Sequence, residues 1–250
     1  MTATIVLVHG AWHGGWCFEP VLQVLDDAGL DAIALDLPGH AENDTAPVGD
    51  LRTDAAHVTR ALDELDREGR GEVVLLGHSY GGAVITEVGI HRVVRELVYL
   101  AAFALDLGES CASVAPDDPG VAAISHAGRP NLGHAFVAGD DATVTLTRDG
   151  AAACLYNGVD AAATEWALDR LSPQSFAALT QSPTNVAWRE RPATYITCTE
   201  DLAVHPDLQR LMARRCGTSV EWPVGHSPFL SDPVLVADLL IARAHATAPE

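Results

Sequence analysis

The sequence of 250 residues contains no lysine, and all fifteen basic residues are arginines. Without a lysine amine the chain has no group that forms a Schiff base with a carbonyl substrate or holds pyridoxal phosphate, so both chemistries are excluded. Acidic residues number 34, and the formal net charge is −19. Such a charge repels nucleic acids and anionic membranes, and we expect neither as a partner.

Long apolar runs and paired cysteines are also missing. No run approaches the roughly 20 apolar residues that span a bilayer. Residues 1–10 lack the basic region and cleavage site of a signal peptide, so we expect a cytoplasmic protein. The five cysteines form no CxxC pair, and their odd number argues against a disulfide framework. Because no spacing such as H-E-x-x-H occurs, we expect neither a metal nor a cofactor.

The residues that are present predict an α/β fold. Short apolar runs alternate with amphipathic segments, which is typical of βα units and a mainly parallel sheet. Several runs are apolar throughout, as in strands covered by helices on both faces. The sequence predicts six strands, at Ile5–Val8, Ala32–Leu35, Val73–Leu76, Leu97–Ala101, Thr194–Cys198 and Ser219–Trp222.

Amphipathic segments between these runs predict helices. In residues 51–69, Leu51, Ala55, Val58 and Leu62 recur at steps of four and three, which places them on one helix face. Further helices are predicted at Phe18–Ala28, Val204–Arg215 and Asp232–Ala244.

Residues 106–191 break this alternation. They are rich in Ala, Gly, Pro and Asp, and their helical stretches are short and irregular. We predict one domain over residues 1–250, with a core at 1–105 and 192–250 and a helical cap inserted at 106–191. The apolar residues of this insertion are too scattered to support the core of an independent second domain.

A serine lies in the predicted turn between the third strand and the helix that follows it. The strand Val73–Leu76 runs into Gly77-His78-Ser79-Tyr80-Gly81, and a helical segment follows. This is G-x-S-x-G between a strand and a helix, the arrangement of a nucleophile elbow. The glycines leave room for a strained turn that exposes the hydroxyl of Ser79. The alternative is a tight turn that contains a serine by chance.

Position selects a base and an acid among many candidates. Of eleven histidines, His226 lies just after the last predicted strand, at the sheet edge where Ser79 emerges. A base there activates the hydroxyl. Asp201 follows the penultimate strand and is the predicted acid; Asp106 is the structural runner-up. The order Ser, acid, His is typical of the nucleophile-elbow fold. His126, His134 and His205 lie in loops or the insertion without a partner pattern.

The first strand ends in a histidine–glycine pair followed by Ala11. Such a turn directs a backbone N–H toward the reacting carbonyl oxygen. We predict an oxyanion hole from the backbone N–H groups of Ala11 and Tyr80. Predicted substrate contacts are Trp12, Phe103, Tyr156, Trp188 and Leu202, for each of which core packing is the alternative.

These motifs together resemble the plant methylesterase and hydroxynitrile lyase family of the α/β-hydrolase superfamily. The likeness rests on His9-Gly10-Ala11, His13-Gly14-Gly15-Trp16, Gly77-His78-Ser79 and Leu100-Ala101-Ala102-Phe103. It covers about the first 106 residues and resumes near Pro192. It implies an α/β-hydrolase fold, with Asp201 at the position of the family's catalytic aspartate.

Two departures from this family narrow the expected activity. Members that cleave cyanohydrins carry a threonine in the oxyanion loop and a lysine after the catalytic histidine, where this chain has Ala11 and Ser227. We therefore expect a serine-dependent carboxylic ester hydrolase that acts on a small, largely apolar molecule as a monomer or homodimer. One alternative is a thioesterase or C–C bond hydrolase of bacterial secondary metabolism. The other is a small-molecule receptor with a vestigial triad.

Overall fold

The computed structural model describes residues 2–43, 46–124, 130–139 and 141–246. The strands are β1 (Thr4–Val8), β2 (Ala32–Leu35), β3 (Val73–His78), β4 (Val94–Leu100), β5 (Phe136–Ala138), β6 (Thr143–Leu146), β7 (Gln174–Ser175), β8 (Ala193–Cys198) and β9 (Thr218–Trp222). Six of them form the central sheet in the order β2-β1-β3-β4-β8-β9, and every neighbouring pair of strands is parallel. The predicted mainly parallel sheet is thus confirmed.

Helices cover both faces of this sheet. Successive side chains of β1 enter two different apolar clusters: Val6 and Val8 pack on one face, and Ile5 and Leu7 on the other. The helices are α1 (Glu19–Asp27), α2 (Leu51–Arg67), α3 (Gly81–Val88), α4 (Pro119–Ala122), α5 (Arg148–Leu155), α6 (Ala161–Leu168), α7 (Phe176–Thr180), α8 (Pro206–Ala213), α9 (Pro228–Ser231) and α10 (Pro233–His245). Helices α2, α3 and α8 contribute to the first cluster, and α1, α9 and α10 to the second.

Local sequence explains where helix α2 begins and ends. Asp50 accepts a hydrogen bond from the backbone N–H of Thr53, whose hydroxyl in turn accepts one from the Asp50 backbone, a capping box. Gly69 ends the helix with φ of +68°, a left-handed conformation that favours glycine. The face predicted to be apolar is buried. The helix therefore packs against the sheet as its periodicity indicates.

Residues between β4 and β8 contain helices α4 to α7 and also a feature that the sequence did not predict. Strands β5, β6 and β7 form a three-stranded antiparallel sheet, which we call the cap sheet. Its strands are too short to show an alternating pattern. No helix within the described residues is long and apolar enough to cross a bilayer.

Candidate active site

Ser79 lies in the turn between β3 and α3 and has φ of +51°. This left-handed conformation is strained for serine and is typical of a nucleophile elbow. A Cβ at Gly77 would lie 2.5 Å from the carbonyl oxygen of Gly81, and a Cβ at Gly81 would clash with that of Val8. Both positions therefore require glycine, and the backbone turns sharply enough to lift Ser79 above the sheet.

Asp201 and His226 are in direct contact. The Nδ1 atom of His226 lies 2.7 Å from Oδ2 of Asp201, and both side chains are buried. Oδ1 of Asp201 accepts hydrogen bonds from the backbone N–H groups of Ala203 (2.7 Å) and Val204 (2.9 Å). The carboxylate is thereby fixed in orientation, and it fixes the imidazole in turn, leaving Nε2 on the opposite side of the ring.

Gln209 on α8 is a further hydrogen-bond partner of the Asp201 carboxylate, and the sequence did not predict it. Its Nε2 donates to Oδ2 of Asp201 at 2.7 Å, and its Oε1 accepts from the backbone N–H of Cys198 at 2.9 Å. Gln209 is fully buried. A buried polar side chain with both ends bonded holds its neighbours in register. Gln209 thus ties the end of β8 to the Asp201 carboxylate.

His78 joins the serine turn to the histidine loop. Its Nε2 lies 2.9 Å from the carbonyl oxygen of His226, so the nitrogen is the donor, and the two rings are 4.6 Å apart. Burial lowers the pKa of His78 well below its ordinary value, so this ring is neutral. The residue before Ser79 is thereby tied to the loop that carries His226. Among the described residues, the Ser79 hydroxyl forms no hydrogen bond, and such bonds are often long before substrate binds.

The backbone N–H groups of Ala11 and Tyr80 have no hydrogen-bond partner among the described residues. The peptide between Gly10 and Ala11 is fixed from its carbonyl side, because Nδ1 of His9 donates to the Gly10 oxygen at 2.8 Å. Ala11, Tyr80 and Ser79 all line one cavity. Free N–H groups beside a nucleophile are suited to stabilise a developing oxyanion.

This cavity, which we call the Ser79 cavity, has a volume of about 190 Å³. Trp12 and Phe103 line it, as the sequence predicts, and no charged side chain does so among the described residues. Burial raises the pKa of the Cys111 thiol, which is therefore protonated at the cavity wall. The remaining lining residues lie largely in the predicted insertion and carried no sequence signal: Cys111, Ala112, Asn131, Leu132, Gly133, Phe136, Phe176, Leu179, Ala203 and Val204.

Three predicted substrate contacts do not line the Ser79 cavity. Tyr156 is buried, and its hydroxyl bonds Nε2 of His13 at 3.0 Å. The indole of Trp188 donates to the carbonyl oxygen of Leu105 at 2.8 Å. Leu202 is half-buried, and its neighbours Ala203 and Val204 line the cavity instead. The aromatic character of Tyr156 and Trp188 was therefore not enough to tell a residue that lines the cavity from one that packs in the core.

The other titratable candidates have different partners. Asp106, the alternative acid, accepts two hydrogen bonds from Arg189, at 2.6 and 2.7 Å. His126 lies outside the described residues. Within the described ranges, no group of three His, Cys, Asp or Glu side chains is arranged to hold a metal ion. Of the acids considered, Asp201 is therefore the one in contact with His226.

Comparisons with known proteins agree with this architecture. The model of the alpha/beta hydrolase family matches residues 5–239. The "Alpha/beta hydrolase nvfD" of Aspergillus novofumigatus is 29% identical over 251 residues, 94% of each chain. "Methylesterase 1" of Arabidopsis thaliana is 33% identical over 110 residues, 42% of this chain and 41% of that protein. The crystal structure of a pyrethroid hydrolase from Sphingobium faniae superposes with a TM-score of 0.80 at 25% identity and covers 99% of both chains. The resemblance seen in the motifs is confirmed, and the chain belongs to the alpha/beta hydrolase family.

Proposed function

We propose that this protein hydrolyses carboxylic esters of small, largely apolar molecules through an acyl-Ser79 intermediate. One observation carries the proposal: Ser79 lines an apolar cavity together with Ala11 and Tyr80, whose backbone N–H groups have no partner among the described residues. Relatives and neighbours with ester-cleaving names, a methylesterase and a pyrethroid hydrolase, support the reaction class.

The proposed reaction has two halves. Ser79 attacks the ester carbonyl while Nε2 of His226 takes the hydroxyl proton and returns it to the departing alcohol. Water then attacks the acyl-Ser79 ester, with His226 as its base, and releases the acid. Asp201 stabilises the imidazolium that forms in each half. The N–H groups of Ala11 and Tyr80 hold the oxyanion, and losing one such donor typically costs about 3 kcal/mol.

The lining of the Ser79 cavity favours a neutral substrate. Without a charged side chain among the described lining residues, nothing there compensates the desolvation of a substrate carboxylate or ammonium group. The phenol hydroxyl of Tyr80 donates a hydrogen bond to Asp54 at 2.5 Å.

Cyanohydrin cleavage is disfavoured because Ser227 follows His226 and donates a hydrogen bond to the carbonyl oxygen of Leu155. A lysine that stabilises departing cyanide has no counterpart.

A fluorophosphonate probe tests the nucleophile. We expect covalent labelling that maps to Ser79 and disappears in Ser79→Ala. The matched control is Ser113→Ala, which removes an exposed serine and should leave labelling unchanged. Wild-type protein that hydrolyses activated esters without labelling at Ser79 would contradict the proposal. Parallel assays on esters, thioesters and β-diketones separate ester hydrolysis from the other acyl-transfer and C–C cleavage reactions.

A further inference from the structure

Trp12 lines two cavities. One is the Ser79 cavity, and the other is a second cavity of about 240 Å³. Of the described residues that line either cavity, Trp12 alone lines both. The second cavity is otherwise lined by Thr145, Leu146, Arg148, Ala151, Leu168, Leu171 and Ser172.

Contacts from the cap sheet hold the Trp12 side chain in place. Its indole N–H donates to the carbonyl oxygen of Val144 on β6 at 2.8 Å, and its ring lies 5.6 Å from that of Phe136 on β5. Its backbone N–H donates to the side chain of Gln174 on β7 at 3.3 Å. Trp12 is 5% exposed, so the indole is a fixed wall and not a mobile surface group.

Apolar and polar side chains share the lining of the second cavity. Besides Trp12, four of its lining residues are apolar, and its one charged side chain, Arg148, is paired with Glu165 and with Asp169. These ion pairs satisfy the guanidinium without a ligand. The second cavity therefore has the chemistry to accept an alkyl chain if the wall is removed.

We propose that Trp12 is a specificity-determining residue that sets the upper size limit of the substrate by closing the Ser79 cavity against the second cavity. The inference rests on the proposed ester hydrolysis and adds to it the residue that restricts substrate length. In the wild-type protein a substrate chain ends against the indole. With a smaller residue at this position, the chain extends into the second cavity.

The test is the dependence of kcat/KM on chain length for p-nitrophenyl esters from acetate to dodecanoate. Trp12→Gly removes the wall and suits the backbone, because Trp12 has φ of +65°, which favours glycine. We expect its optimum to move to longer chains, with kcat/KM relative to acetate rising about tenfold for every two methylenes that enter the second cavity. Trp12→Phe keeps most of the wall while losing the indole hydrogen bond, and it should retain the wild-type optimum.

A second substitution makes the test specific to the second cavity. Thr145→Trp fills this cavity from β6, where an aromatic residue is compatible with a strand. In the wild-type background it should leave the chain-length profile unchanged. Combined with Trp12→Gly, it should restore the wild-type profile. Trp12→Leu, judged by the same profile, replaces Trp12→Gly if the glycine variant does not fold.

The outcomes separate the two proposals. Wild-type protein that neither labels at Ser79 nor hydrolyses any ester refutes the proposed function. A Trp12→Gly variant that labels stoichiometrically with fluorophosphonate but keeps the wild-type chain-length profile refutes the role of Trp12 alone. A shift that Thr145→Trp does not reverse also refutes it, because the longer chain would then not occupy the second cavity.

Discussion

Asp54 is a buried carboxyl group whose ionisation opposes folding at neutral pH. It lies in the first turn of α2, is 1% exposed, and accepts a hydrogen bond from Tyr80 at 2.5 Å through Oδ2. Oδ1 has no partner among the described residues. Burial raises the pKa of Asp54 from 3.8 to about 7, although the Tyr80 hydrogen bond acts in the opposite direction. Ionisation is therefore more costly in the folded chain than in the unfolded one.

The substitution Asp54→Asn removes this charge and keeps an oxygen acceptor for Tyr80. Because the pKa is higher in the folded state, the contribution of Asp54 to stability is greatest at low pH and falls as pH rises from about 4 to about 7. At about 1.36 kcal/mol for each pKa unit, the full penalty is at most about 4 kcal/mol. About 2.5 kcal/mol of it develops between pH 5 and pH 8. Asp54→Asn should not show this loss.

Urea unfolding across this pH range measures the effect. The free energy of unfolding of Asp54→Asn minus that of wild type should increase by about 2.5 kcal/mol from pH 5 to pH 8. Comparing two pH values cancels any pH-independent cost of the amide. The control is Asp141→Asn: a hydrogen bond from Thr143 lowers the pKa of this exposed carboxyl group, which is ionised throughout this range. For this control, the free energy of unfolding minus that of wild type should be the same at pH 5 and pH 8. If the same were found for Asp54→Asn, the reasoning would be refuted.

Three further predictions concern the candidate site and its surroundings. Asp201→Asn should lower kcat on p-nitrophenyl acetate by about 10⁴-fold, since the imidazole loses its orienting anion; near-normal turnover would exclude Asp201 as the acid. Gln209→Leu should lower kcat about tenfold with little change in KM, because the loss of one charge-assisted donor costs at least about 1.4 kcal/mol; an equal change in both constants would indicate a role in substrate binding. Burial lowers the pKa of His40 to about 4, so its contribution to stability is complete above pH 6.5 and is lost as pH falls. His40→Gln should remove about 2 kcal/mol of the stability loss between pH 8 and pH 5 in urea titrations, and an unchanged pH dependence would contradict a buried neutral His40.

The sequence predicted the inner strands β1 and β3 because they are buried throughout and are formed almost entirely from continuous apolar runs. Strand β4 shows the limit of that signal. It begins at Val94, three residues before the predicted start at Leu97, since Arg95 and Glu96 interrupt the apolar run. In the folded chain Arg95 bonds Glu72 and Glu96 bonds Thr194, so both charges are accommodated inside the strand. Such long-range partners are not visible in a local pattern.

The positions of Ser79, Asp201 and His226 could be predicted because parallel strands deliver their following loops to one edge of the sheet. Gln209 could not be predicted, because its contact with Asp201 depends on the rotation of α8 against β8. Most residues that line the Ser79 cavity could not be predicted for a related reason. Of these lining residues, Phe136 lies on the cap sheet and Phe176 directly follows it, and the short strands of this sheet leave no period in the sequence.

Three buried histidines around Ser79 share one function in the fold. His9 donates to the Gly10 oxygen, His13 to that of Ala11, and His78 to that of His226, each at 2.8 or 2.9 Å. Burial lowers the pKa of all three, so each ring is neutral and offers one N–H. Each histidine therefore fixes a peptide that carries part of the proposed machinery, and none needs a proton of its own. A buried imidazolium there would disfavour the protonated His226 that the proposed mechanism requires, so the proposed mechanism depends on these rings being neutral.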